Sequence, residues 1–237
     1  MRLLLIIISF LFVAPVHAVI FISGGAVTPP AGGAPTVASS TSSNVADNVT
    51  DHTVALPSGI SSGDLLLAFF CVDAGETPSW PGDWTVIAHD ANGSSTSDIA
   101  YKIASGSEGS SITVTTTEEM SAHAVYRITG DDGNEPEVSA VNSGTDTNPD
   151  PSSLTPSGGS NNYLWIAFEC NDDGRGDVTA YPTGYDDNQI AVKSGDVFNG
   201  VQMGVATKAE EDSSDDPGTF TIDQSEYWDA WTVSVSP

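Results

Sequence analysis

Short runs rich in apolar and β-branched side chains recur along the chain, and each is closed by a cluster of Gly, Ser, Asn or Asp. Clear cases are 64–72, 97–103, 111–117, 121–129, 163–170, 200–208 and 228–235. Runs of this length with turn residues between them predict β-strands, and their regular spacing predicts a sandwich or barrel. No segment keeps a helical apolar period with caps at both ends, so the expected class is all-β.

The pattern is also written twice. Residues 57–73 (PSGISSGDLLLAFFCVD) align with 156–172 (PSGGSNNYLWIAFECND) at an offset of 99, with nine of the 17 positions identical. Further on, Trp80-Pro81-Gly82-Asp83-Trp84 meets Tyr181-Pro182-Thr183-Gly184-Tyr185. Ala100-Tyr101-Lys102 meets Ala206-Thr207-Lys208, Ile112-Thr113-Val114 meets Phe220-Thr221-Ile222, and Ala124 meets Ala230. The offset drifts as it does when copies differ in loop length. Copy one spans about 35–130 and copy two about 135–237. The connection Gly130-Asp131-Asp132-Gly133-Asn134 is turn-like rather than a linker. Two separate sandwiches are one solution. The favoured one is a single duplicated antiparallel β-sandwich, jelly-roll-like, with two pseudo-symmetric copies packed as one unit.

Composition adds a compartment. Arg2, the apolar run Leu3–Val13 and Val16-His17-Ala18 read as a signal peptide over 1–18. The run is too short for a spanning helix, which needs about 20 apolar residues. Residues 19–34, rich in Gly, Pro, Ala and Val, read as a flexible leader. The mature chain is therefore expected to be secreted, with no membrane insertion. With 6 basic and 32 acidic residues the net charge is −26. Such a charge repels phosphates, so nucleic acid is not an expected partner. Apolar residues at 39% exclude a disordered chain.

The strings GDLLLAF, W-P-x-x-W, A-Y-K-x-A-x-G-x-E-G and A-V-Y-R-I-x-G, then N-P-D-P-S-S-L-T-P-S, Y-L-W-I-A, Y-P-x-x-Y, D-P-G-T-F-T and W-x-A-x-T-V, carry a resemblance over about 35–237. The chain resembles a duplicated β-sandwich family found in phage virion-associated proteins and in secreted bacterial surface modules. That resemblance implies the fold and transfers no catalytic residue. The export signal favours the secreted branch over the virion.

Candidate chemistry is sparse. Gly59-Ile60-Ser61-Ser62-Gly63 fits G-x-S-x-G, but it precedes a strand instead of following one, and its twin reads Gly158-Gly159-Ser160-Asn161-Asn162. His52, His89 and His123 lie in different segments. No catalytic residue is assigned, and the chain is not expected to be an enzyme. Asp172, Asp173 and Asp177 concentrate oxygen ligands around Gly174 and Gly176, which suits Ca²⁺, although polar turns favour the same residues; no other cofactor is expected. The acidic run Glu210–Asp216 reads as a solvated hairpin tip. Cys71 and Cys170 hold the same position in each copy. They can bridge if their strands are neighbours about a two-fold axis, and cannot if they lie in opposite sheets away from it. Trp80, Trp84, Tyr181 and Tyr185 offer either sugar-stacking faces or plugs for the sandwich ends.

The expectation that follows is a non-enzymatic secreted structural or adhesive surface protein, whose partner is itself or a cell-surface or polysaccharide partner. A carbohydrate-binding module or a phage virion surface protein comes next, and a secreted hydrolase last.

Overall fold

The computed structural model describes residues 32–195 and 197–237, so the expected signal peptide and most of the expected leader lie outside the described residues. Strands β1 (Thr36–Ala55), β2 (Leu65–Asp73), β3 (Thr85–Ala91), β4 (Ser95–Ile103) and β5 (Ser111–Thr129) form one sheet in the order β1-β5-β2-β4-β3. The second sheet takes β6 (Glu137–Val138), β7 (Asn142–Gly144), β8 (Asn161–Asp172), β10 (Asp187–Lys193), β11 (Val201–Asp212) and β13 (Trp228–Val235). Its order is β10-β11-β8-β13-β6, with β7 also on β13, and β9 (Val178–Ala180) and β12 (Thr221–Ile222) make a two-stranded ribbon. Every pairing is antiparallel. Each copy thus supplies one sheet, and the two sheets close over a shared core with no closed barrel.

Why one sandwich forms rather than two is visible in β2 and β8. Both strands are buried on both faces, so each sends alternate residues inward and outward. Leu65, Leu67, Phe69 and Cys71 face Leu164, Ile166, Phe168 and Cys170 in the inter-sheet core, joined by Ile99, Tyr126, Met203, Val205, Trp231 and Val233. Neither sheet could cover that apolar face alone. At about 1.5–3 kcal/mol for each fully buried large side chain, its exposure would cost more than a domain's entire stability.

The disulfide fastens this layer. Cys71 and Cys170 are bonded, with Cα atoms 5.7 Å apart. They lie in opposite sheets, where only strands on the two-fold axis bring equivalent positions within bonding reach. The bond forms because both side chains point inward where the sheets approach. Cys71 Sγ lies 3.4 Å from the Gln202 carbonyl oxygen and Cys170 Sγ 3.8 Å from that of Thr96. Gln202 and Thr96 occupy equivalent places in the two copies, so the bridge sits on the pseudo-two-fold axis.

One repeat assignment needs correction. Ile128 pairs with Leu65 and Val235 with Leu164, an offset of 107 for β5 and β13. Ala124 therefore corresponds to Trp231, and His123 to Ala230. A slip of one residue exchanges the two faces of a strand, so this shift decides which outward-facing groups are compared.

The outer faces are covered too. In copy one Trp84, half-buried Trp80, Val54 and Val114 pack on Leu66, Ala68, Phe70 and Ala100. In copy two Tyr185, half-buried Tyr181 and Phe220 pack on Tyr163, Trp165, Ala167 and Ala206. The covering flaps are held alike, by Ser79 paired with Thr115 and by Ala180 paired with Thr221. Where the chain leaves β2 and β8, equivalent residues 99 apart both have positive φ, 63° at Ala74 and 140° at Asp173. Such a conformation is costly for a residue with a Cβ, and Asp173 is held there by Arg175, whose backbone N–H and guanidinium both donate to its carboxylate.

Candidate functional site

The aromatic-Pro-x-x-aromatic elements serve the fold. Trp84 and Tyr185 are buried and have no face to offer a sugar. Trp80 donates from Nε1 to Asp98 Oδ2 at 2.7 Å. The Tyr185 hydroxyl donates to Asp215, whose other oxygen is 2.5 Å from Lys208 Nζ. Lys208 in turn lies over the Tyr185 ring. Within the acidic run, Asp215 is thus a buried clamp on the flap rather than part of a solvated tip; burial and the Asp215 carboxylate both raise the Tyr185 pKa.

The three aspartates considered for calcium do not converge. Asp173 is paired with Arg175, Asp177 Oδ1 with Lys193 Nζ at 3.2 Å, and Asp172 lies by Ser94. Among the described residues no three His, Cys, Asp or Glu side chains are placed to hold a metal ion. Asp172 instead faces its own twin. Burial, reinforced by the negative field of Asp172, raises the Asp73 pKa to about 6. Beside them, fully buried Asp229 is pushed up by burial and by the Asp90 carboxylate, while Asn92 Nδ2 donates to its Oδ2 at 3.1 Å. The core end beyond the disulfide is therefore an acidic pole whose carboxyls are pushed up by burial and by one another.

Histidines that looked isolated meet on the outer face of copy one. Thr116 Oγ1 donates to the Thr117 carbonyl at 2.7 Å, so it accepts from His52 Nε2 at 2.6 Å. His52 Nδ1 then accepts from Ser121 Oγ at 2.6 Å, and Ser121 accepts from His123 Nε2 at 2.7 Å. His123 Nδ1 accepts from Ser43 Oγ at 3.0 Å, which accepts from the Ala55 N–H at 3.0 Å. Every proton in this wire has one assignment, and both rings are neutral Nε2–H tautomers. Burial lowers the His52 pKa, and burial with His52 nearby lowers that of His123 to about 3. Ser121 and both rings are fully buried. Because Ser121 and both rings are sealed in the core, no substrate reaches the hydroxyl, so this Ser–His pairing is packing.

The copies diverge most on the outward rows that cross each sheet. In copy one, register places His89, Asp98, Phe70 and His123 side by side. The row is full and satisfied: His89 Nδ1 is 2.6 Å from Asp98 Oδ1, and Phe70 stacks on His123 with centroids 5.0 Å apart. The equivalent row in copy two reads Ala191, Gly204, Glu169 and Ala230. Bulk is lost at three of the four positions, and a carboxyl replaces the phenyl ring. The next row is Lys193, Gln202, Asn171 and Trp228. Here a cavity of ≈ 130 Å³ opens, lined by Asp177, Val178, Ala191, Val192, Lys193 and Gln202. Gln202 is 2% exposed, yet neither its Oε1 nor its Nε2 has a partner, and neither does Glu169 Oε1. Burial raises the Glu169 pKa to about 8, leaving it a neutral acid at pH 7. The sequence singled out neither Gln202 nor Glu169, although aligning Phe70 with Glu169 in the repeat marks the place.

The sheet edges differ as sharply. Strands β3 and β10 are seven residues each, bulged and charged, and β6 and β7 have two and three residues. Those are the usual protections of a sheet edge. Strand β1 is bulged as well, between Val37 and Ser39 and again beyond Val45, but it has 20 residues and Thr36–Ala46 contains no charged side chain. Among the described residues no strand pairs with its other side. No protein-family model, curated protein or solved structure matches the chain.

Proposed function

We propose that this is a non-enzymatic structural or adhesive surface protein, exported and acting through contacts with further copies of itself. The observation that carries this reading is the β1 edge. In a chain of net charge −26, Thr36–Ala46 is a strand-length edge where two copies can approach without opposed carboxylates. Antiparallel pairing of two β1 edges would be self-complementary and would extend one sheet across two molecules. The inter-sheet disulfide supports an oxidising compartment. Full burial of Ser121, His52 and His123 keeps this Ser–His pair from serving as a nucleophile.

Gel filtration with light scattering over a series of NaCl concentrations tests the reading. Association should strengthen with salt, because screening of the acidic surface removes repulsion while backbone pairing persists. A monomer at every salt and protein concentration would overturn it.

A further inference from the structure

We propose that the outer face of copy two's sheet is a binding site for a neutral saccharide, with the Gln202 amide as its polar anchor. The proposal stands apart from the β1 edge and rests on the cavity under Gln202. A buried amide with both atoms unpartnered is costly, of the order of 1–3 kcal/mol for each group. Copy one shows that the fold does not demand it. The equivalent Thr96 hydroxyl accepts from the Glu76 N–H at 2.7 Å and donates to the Ala74 carbonyl at 2.9 Å. Gly204, which stands where copy one has Asp98, is covered by Glu169, Val178 and Phe220, so the open space lies beside Gln202 and not over Gly204. A Cβ at that glycine would come within 2.9 Å of Glu169 Oε1 and 3.2 Å of Phe220.

The ligand class follows from what satisfies those atoms. Adjacent sugar hydroxyls donate to Oε1 and accept from Nε2 at once. An anion answers only Nε2 and is repelled by the acidic chain; a hydrocarbon answers neither atom. Val178 and Ala191 give aliphatic walls for sugar C–H groups. At ≈ 130 Å³ the cavity takes the hydroxyl edge of a ring rather than the whole ring. The rest would lie toward the β10–β11 connection, where Phe198 is 67% exposed with the Arg175 guanidinium 4.7 Å from its ring centroid. Asn171, opposite Gln202, donates to Glu169 Oε2 at 2.9 Å and acts as a positioning residue.

The test is a ¹⁵N-edited NMR titration of the intact protein with glucose, galactose, mannose and N-acetylglucosamine, and with their oligosaccharides. At least one should shift the Gln202 side-chain NH₂ and the Phe198 amide saturably. Gln202→Leu should weaken that ligand by about tenfold or more, and Phe198→Ala by several-fold. Gln202→Leu should also raise the melting temperature of the free protein, because it removes an unsatisfied buried amide. That outcome separates a binding residue from a structural one. No saturable shift with any sugar, or unchanged binding by Gln202→Leu, or its destabilisation, would overturn the proposal.

Discussion

Cys71 and Cys170, 99 residues apart, meet on the axis that relates the two halves of this protein, so one covalent bond joins equivalent points of both sheets. Breaking it releases a long loop in the unfolded state and leaves the folded core otherwise intact. The double variant Cys71→Ala/Cys170→Ala should lose about 4–5 kcal/mol by the chain-entropy account. Urea unfolding with and without reductant measures this, and the reduced wild type should match the variant.

The hydrogen-bond wire makes a sharper demand. Ser121→Ala removes the donor to His52 Nδ1 and the acceptor for His123 Nε2–H together. With two buried groups left unpaired, the loss should be about 2–5 kcal/mol. Imidazole ¹⁵N shifts of the wild type should report the Nε2–H tautomer at both rings.

On the flap, Asp215→Ala strands the Tyr185 hydroxyl and removes the nearer partner of Lys208, whose other contact is Glu210 at 3.0 Å. A loss of about 1–3 kcal/mol is expected in chemical denaturation.

Stability should fall as pH rises from about 5 to 8, because buried carboxyls dominate that range. The folded pKa of Glu169 stands at about 8 against 4.5, and those of Asp73 and Asp229 are raised too. Each such group holds a proton in the folded state that the unfolded chain has released, so its contribution is full below the unfolded pKa and is lost as pH climbs through the folded one. The histidines act oppositely. Their folded pKa values are depressed below 6.5, so their contribution is full above that value and lost as pH falls toward about 3 for His123. Above pH 7 Glu169 is the main remaining term. Melting temperatures should therefore drop between pH 7 and 8, and Glu169→Gln should flatten that limb.

Much of the architecture was legible because duplication and strand spacing are local patterns. The run at 57–73 and its twin located β2 and β8, while the shared Cys position left the bridge to be decided by where those strands lie. What escaped depends on register. The one-residue difference that matches His123 with Ala230 is invisible until the strands are paired, and with it the row of small residues beside Glu169. The aspartates at 172, 173 and 177 read as one cluster in sequence, but a strand end and a turn send them to separate partners. Gln202 carries no motif, and only its burial without a hydrogen bond distinguishes it.

The claim that copies associate through β1 is tested most directly by hydrogen–deuterium exchange at low and high protein concentration in salt. The account predicts added protection at high concentration confined to Thr36–Ala46, with β3 and β10 unchanged. Association without protection in β1, or no dependence on concentration, would contradict it.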